Sequence, residues 1–183
     1  MKLWSGHFHT LAAHFLPSQK RQGVGERHVI HLPDGDQIEG FLYPGTTNIV
    51  VALFHGLSGS DSADYMDRST ILFAKEGHSV FLTNHRGVQS LMHAQNSVGG
   101  AVATLTAKSP YHSGRGEDIS AVVQYLRRLL PNKKIVTVGF SLSGNMILVL
   151  LSGMRGEHLP DAAITVNAPI NLASSAKALQ TGF

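Results

Sequence analysis

The chain alternates short apolar runs with glycine and proline punctuation. Residues 27–32 and Gln37–Tyr43 mix polar and apolar positions around a turn at Pro33, Asp34 and Gly35, which predicts an antiparallel hairpin at a sheet edge with one wetted face. Ile49–Phe54 is almost wholly apolar, as a central parallel strand buried on both faces should be. Ser79–Thr83, residues 134–140 and Ala162–Val166 read as further buried strands. Between them the period changes. Asp64–Lys75 suits a helix with Tyr65, Ile71, Leu72 and Ala74 among its apolar positions and Gly77 as its stop. Ile119, Val122, Val123, Leu126, Leu129 and Leu130 form one helical stripe, with Glu117 and Asp118 in the first turn, Arg127 and Arg128 near the end, and Pro131 closing it. Residues 145–151 are apolar on nearly every side, as in a helix packed between a sheet and other elements, and a last helix begins over 172–179. Strands alternating with helices predict an α/β fold, a mostly parallel doubly wound sheet with the antiparallel hairpin at its N-terminal end. Residues 88–114, with Gly99-Gly100, show no sustained period and form an irregular excursion that skirts the mouth of any site.

One junction carries chemistry. Over residues 134–146, KIVTVGFSLSGNM, a β-branched run meets Gly139, Ser141 follows, and a new apolar stretch begins at once. A strand turning sharply into a helix lifts the Ser141 hydroxyl above the sheet edge and aims the Leu142 N–H and the helix N-terminus at a developing oxyanion. The elbow pattern G-x-S-x-G has Ser143 in its fifth place, and the glycine comes one residue later at Gly144. The plainer reading makes Ser141 or Ser143 an ordinary helix cap. A second strand end points to the same place: after Ile49–Phe54 come His55, Gly56, Leu57, Ser58 and Gly59, a loop that can present the Leu57 N–H. Ligands of doubly wound sheets sit beyond the carboxyl ends of strands, so the two ends converge. His55 reads as a residue holding this loop rather than a general base. Arg86, after the strand Ser79–Thr83, reads as a lock on its loop, with contact to an anionic substrate as the alternative.

Composition narrows the classes. The formal charge of +3 comes from scattered cations and forms no basic stripe, so no nucleic-acid partner is expected. Cysteine is absent, which excludes disulfides and thiolate chemistry and fits a reducing, cytoplasmic setting. His7, His9 and His14 interrupt the apolar residues of the N-terminus, so no signal-peptide core forms, and no run approaches the ~20 residues of a membrane span. Trp4, Phe8, Leu11 and Phe15 could touch a membrane surface or pack on the domain. The 11 histidines do not adopt zinc-site spacings, so neither metal nor organic cofactor is expected.

Taken together, residues 5–11 (SGHFHTL), 54–59, His85-Arg86-Gly87, 111–114 leading to Asp118, 139–145 and Ala168-Pro169 resemble the α/β-hydrolase superfamily, and more narrowly its YheT-like branch of predicted esterases. The resemblance implies an α/β-hydrolase fold and a serine-type carboxylic ester hydrolase acting on short-chain or lipid-like esters. It gives Ser141 the nucleophile's role and the Leu142 and Leu57 N–H groups the oxyanion's, with His55, Gly56, Gly139, Ser143 and Arg86 in support. Ser143 departs from the family's glycine, and the segment after Gly87 lacks its small, glycine-marked continuation. In such folds the acid and histidine follow the serine in chain order, after later strands. Neither is recognisable here. The expectation is therefore a single incomplete domain over 1–183, with residues 1–26 as an N-terminal extension and the last strands missing. An inactive hydrolase or acyl-binding remnant is the alternative, and the uncovered sheet edge offers a surface for self-association.

Overall fold

A computed structural model describes residues 19–90 and 107–181. The N-terminal aromatics, residues 5–11 and Gly99-Gly100 lie outside the described residues. Six strands form one sheet: β1 (Glu26–His31), β2 (Gln37–Tyr43), β3 (Ile49–Phe54), β4 (Ser79–Thr83), β5 (Lys134–Phe140) and β6 (Ala162–Val166). Among the described residues four helices accompany them: α1 (Asp64–Lys75), α2 (Gly116–Leu129), α3 (Leu142–Leu151) and α4 (Leu172–Thr181). The spatial order is β1-β2-β4-β3-β5-β6, with β1, β2 and β4 joined antiparallel and β4, β3, β5 and β6 joined parallel.

Alternation along β3 explains the layering. Val50, Ala52 and Phe54 belong to one core with Val122, Val123 and Leu126 of α2 and Met146, Ile147 and Leu150 of α3. Val51 and Leu53 belong to the other, with Met66 of α1, Val80 and Leu82. A strand with apolar residues on both faces needs cover on both, and this is why β3 has no polar position. From β3 the chain places β4 on one side and later β5 on the other. The crevice between diverging crossovers opens at the carboxyl end of β3.

The hairpin departs from expectation. β1 runs from Glu26 to His31, since Leu32 already turns and its N–H donates to the Asp36 carbonyl at 2.8 Å. β2 has no wetted face: its five central residues are buried, because it lies between β1 and β4 rather than at the edge. Glu39 in this strand is 2% exposed, and its carboxylate accepts from Arg27 Nε, Asn84 Nδ2 and the Ser90 N–H. Paired with charge and hydrogen bonds, a polar residue can take an inward place that a pattern of polarity alone assigns to solvent.

At the opposite edge β6 pairs, among the described residues, with β5 alone. The burial expected of this strand does not hold: its residues are exposed or half-buried, with Ile164 47% exposed, because the described residues cover it less than the inner strands. Leu148, Leu151, Leu159, Ile170 and Leu172 are exposed as well. No helix of the described residues is long and apolar enough to cross a membrane.

Candidate active site

Ser141 stands between β5 and α3 with φ 52° and ψ −114°, a backbone state costing a side-chain-bearing residue roughly 1–3 kcal/mol. The surroundings hold it there. Its N–H donates to the Val166 carbonyl at 2.8 Å, extending the β5–β6 ladder past the strand end, and its own carbonyl accepts the Asn145 N–H at 3.3 Å. The turn is tight enough that a Cβ on Gly139 would lie 2.7 Å from the Ser143 backbone, so only glycine fits. Ser141 is exposed, its side chain does not cap α3, and its hydroxyl has no hydrogen-bond partner among the described residues. A helix-cap role is thereby removed. The first-turn amides of α3, Leu142 among them, have no preceding carbonyl to bond.

Ser143 behaves differently. It is fully buried, and its hydroxyl donates to the His55 carbonyl while accepting from His85 Nε2–H at 2.7 Å. The departure from glycine is thus a tie between the elbow helix and the ends of β3 and β4. The need for a small residue moves to Gly144, where a Cβ would meet that of Ala168 at 2.9 Å.

The loop after β3 is pinned peptide by peptide. The His55 carbonyl accepts from Ser143 and, at 3.0 Å, from His85 Nε2; the Gly56 N–H donates to the Tyr65 hydroxyl at 2.9 Å. The Gly56 carbonyl accepts from His55 Nδ1 at 2.7 Å and from the Gly59 N–H at 3.1 Å. The Ser58 N–H donates to the Tyr111 hydroxyl at 3.1 Å. Across 56–59 this leaves Leu57 as the one amide without an acceptor among the described residues. In a trans peptide the N–H points opposite the preceding carbonyl, so holding the Gly56 oxygen on the His55 ring turns the Leu57 N–H away from that ring. A Cβ on Gly56 would lie 3.3 Å from Ser141 Cβ, which puts the loop directly against the serine.

The two histidines have fixed tautomers. His55 Nε2 accepts the His85 N–H at 3.3 Å, so its proton is on Nδ1; His85 carries its proton on Nε2. Burial holds both below the usual imidazole range, and His85, also facing His55, falls to about 3. Their rings pack at 4.4 Å, and the Tyr111 ring stacks on His85 at 4.7 Å. Both are framework groups at neutral pH, with no free nitrogen aimed at a serine proton on His55.

Arg86 is 2% exposed. It grips both Asp118 oxygens at 2.8 and 2.6 Å, Asp36 at 2.8 Å and Asp34 at 2.6 Å, joining the hairpin turn, the end of β4 and the start of α2. Four of its five N–H donors are committed to carboxylates, which supports the reading of Arg86 as a lock on its loop. Asp118 is therefore more than a helix-start charge. Beside this cluster, Arg21 pairs with Asp61 at 2.7 Å, and Asp61 is tied to Asn84 through its N–H at 2.7 Å.

Two cavities flank Ser141. One of about 550 Å³ is walled mainly by apolar groups, among them Leu57, Leu142, Pro169, Leu172 and Ala176. The other, about 400 Å³, is bounded by Gly56, Leu57, Tyr65, Phe140, Val166 and Asn167. No group of three or more metal-ligating side chains occurs among the described residues. Tyr65 and Tyr111 are site residues that pattern reading passes over. The signal that finds them is the demand of a half-buried phenol for a partner.

Comparison with known proteins agrees with this geometry. Residues 49–178 match the model of the alpha/beta hydrolase fold. The chain is 29% identical over 159 residues to YheT of Escherichia coli (strain K12), whose given name includes the word esterase, and 30% identical over 171 residues to abhydrolase domain-containing protein 2 of Drosophila melanogaster. These alignments cover 84% and 89% of this chain but 43% and 40% of the relatives, so the chain spans about two-fifths of their length. Among solved structures, the Pyrococcus furiosus esterase Pf2001 superposes with a TM-score of 0.62 at 20% identity, over 86% of this chain and 59% of that one. An alpha-beta serine hydrolase homologue from Coxiella burnetii gives 0.61 at 16% identity, over 86% and 69%. With a mixed sheet, a strained serine at the β5–α3 corner and a family model matched over most of its length, the chain belongs to the alpha/beta hydrolase fold family.

Proposed function

We propose that this chain builds the nucleophile, oxyanion and acyl-binding part of a serine-type carboxylic ester hydrolase. The observation that carries the reading is the strained, exposed Ser141, whose hydroxyl is unbonded among the described residues, set against a loop in which, among those residues, the amide of Leu57 alone lacks an acceptor. In the reaction, Ser141 Oγ attacks the ester carbonyl carbon and a general base takes its proton. The Leu57 and Leu142 N–H groups receive the negative oxygen, the alcohol leaves with a proton, and water then releases the acid. The apolar cavity beside Leu142 and Leu172 suits a short or lipid-like acyl chain. No cofactor is required. A reducing compartment, the cytoplasm, suits a chain with no cysteine.

The base and its acid come, on this proposal, from groups other than His55 and His85, whose rings are committed to the framework. A non-catalytic acyl-binding role is the second reading, favoured by the absence of any hydrogen-bond partner for the Ser141 hydroxyl among the described residues. Purified chain and Ser141→Ala, assayed with a short-chain aryl ester and a fluorophosphonate probe, separate the two. Labelling at Ser141 with hydrolysis close to the variant's background is the expected result. Strong hydrolysis lost in Ser141→Ala would show that the chain itself supplies a working base, and binding of acyl ligand without labelling overturns the nucleophile. We also propose that the bare β6 edge pairs with a second copy of the chain.

A further inference from the structure

Tyr65 sits in the first turn of α1, where the periodicity of that helix gives it only an apolar place. The fold uses it otherwise. Its hydroxyl accepts the Gly56 N–H at 2.9 Å, its ring packs on Phe140 at 4.8 Å between centroids, and it walls the 400 Å³ cavity together with Ser141. The Gly56 Cβ position that lies 3.3 Å from Ser141 Cβ lies 3.8 Å from the Tyr65 oxygen, so serine and phenol border one small volume. A phenol oxygen that accepts one N–H still has a proton to give, and among the described residues that proton has no acceptor. Burial holds the phenol above its ordinary pKa, so it stays protonated across the neutral range.

We propose that Tyr65 is a further catalytic residue, its O–H a third donor to the oxygen that becomes negative when Ser141 attacks, beside the amides of Leu57 and Leu142. The assignment rests on the serine reading of the site and extends it. It also gives one side chain two linked tasks: accepting from Gly56 places the loop, and donating to the ligand shares its charge. Three donors in a partly dry site receive an oxyanion better than two, since each is oriented before charge develops.

Butyrate, whose carboxylate puts an anionic oxygen in the same place, tests the donor without requiring chemistry. Its binding to the whole chain is followed by NMR at the Gly56 and Leu57 amides, alongside the rate of Ser141 labelling by a fluorophosphonate. Tyr65→Phe should weaken butyrate about tenfold and slow labelling on the order of a hundredfold, while Tyr125→Phe, on the far face, leaves both unchanged. Replacing Tyr65 by 3,5-difluorotyrosine separates the two tasks. A phenolate still accepts the Gly56 N–H but can no longer donate, so butyrate binding should be retained at low pH and lost as pH rises through the lowered phenol pKa. Native behaviour in Tyr65→Phe, or binding that ignores pH in the fluorinated protein, overturns the assignment, as does a native chain that binds no butyrate. Native butyrate binding without serine labelling would sink the nucleophile reading and leave Tyr65 to be judged on the binding ratios.

Discussion

The two walls of the crevice are made differently. On the β3–β4 side, buried side chains cross-brace every loop: Arg86 with three aspartates, His85 with Ser143, and His55 with the Gly56 carbonyl. On the β6–α4 side, Ile170 is 86% exposed, Leu172 is 44% exposed, and among the described residues the sheet ends on a strand paired on one side only. The first wall fixes peptide planes. The second supplies apolar surface and little constraint. On the proposed reading, preorganisation is concentrated where charge would develop, and the side that would face an acyl chain is left adaptable.

The contrast can be broken most forcefully at Arg86. Arg86→Ala strands Asp118 and Asp36 as buried carboxylates and should cost about 3–5 kcal/mol in urea unfolding, with Arg86→Lys recovering only part because it lacks the bidentate fork. A loss under about 1 kcal/mol would mean that the braced wall is not braced by this residue.

Acid should test the same wall more gently. The folded His85 pKa, about 3, is below the unfolded value, so the unfolded chain binds more protons between the two. Its contribution is fully present above about pH 6.5 and is lost as pH falls toward 3, by on the order of 1 kcal/mol per pH unit. Asp34, lowered by its hydrogen bond from Arg86, and Asp161, lowered by the Ile135 N–H, add losses at more acidic pH. Comparing thermal melts of native protein and His85→Gln isolates the histidine: the variant should show a flatter slope between pH 6.5 and 4, and an unchanged slope would refute the linkage.

The open wall should respond least. Ile164→Lys on β6 should leave stability within about 0.5 kcal/mol and shift sedimentation from associated species toward monomer. A large stability loss would mean that this edge is packed more firmly than its exposure indicates.

What the sequence revealed and what it concealed divide along the same line. Buried parallel strands announce themselves as apolar runs, which is why Ile49–Phe54 and Ser79–Thr83 are readable to the residue; Ala162–Val166 has the right bounds, but its expected burial does not hold. Ser141 and the loop at Leu57 were found because a glycine-marked corner is a local event. The braces are not local: Arg86 meets Asp34, Asp36 and Asp118 from distant parts of the chain, and no period records a pairing between them. The wetted face expected of Gln37–Tyr43 fails for the same reason, since the partners that let Glu39 sit inward, Asn84 and Ser90, come from the end of β4 and the segment after it. Tyr65 reads only as an apolar helix position and Tyr111 falls in a stretch with no period, so nothing local marks the hydroxyls that hold the Gly56 and Ser58 amides.

Ser143 shows where resemblance and physics part company. Exchanging it for glycine would restore the familiar spelling of the corner and make the chain look more like its kin. It would also remove the hydroxyl that ties the elbow helix to two strand ends, leaving the His55 carbonyl and the His85 Nε2–H only each other as partners, at 3.0 Å. In this chain the regular motif would be the looser one, and a repair guided by the familiar pattern would remove a tie between the elbow helix and the ends of β3 and β4.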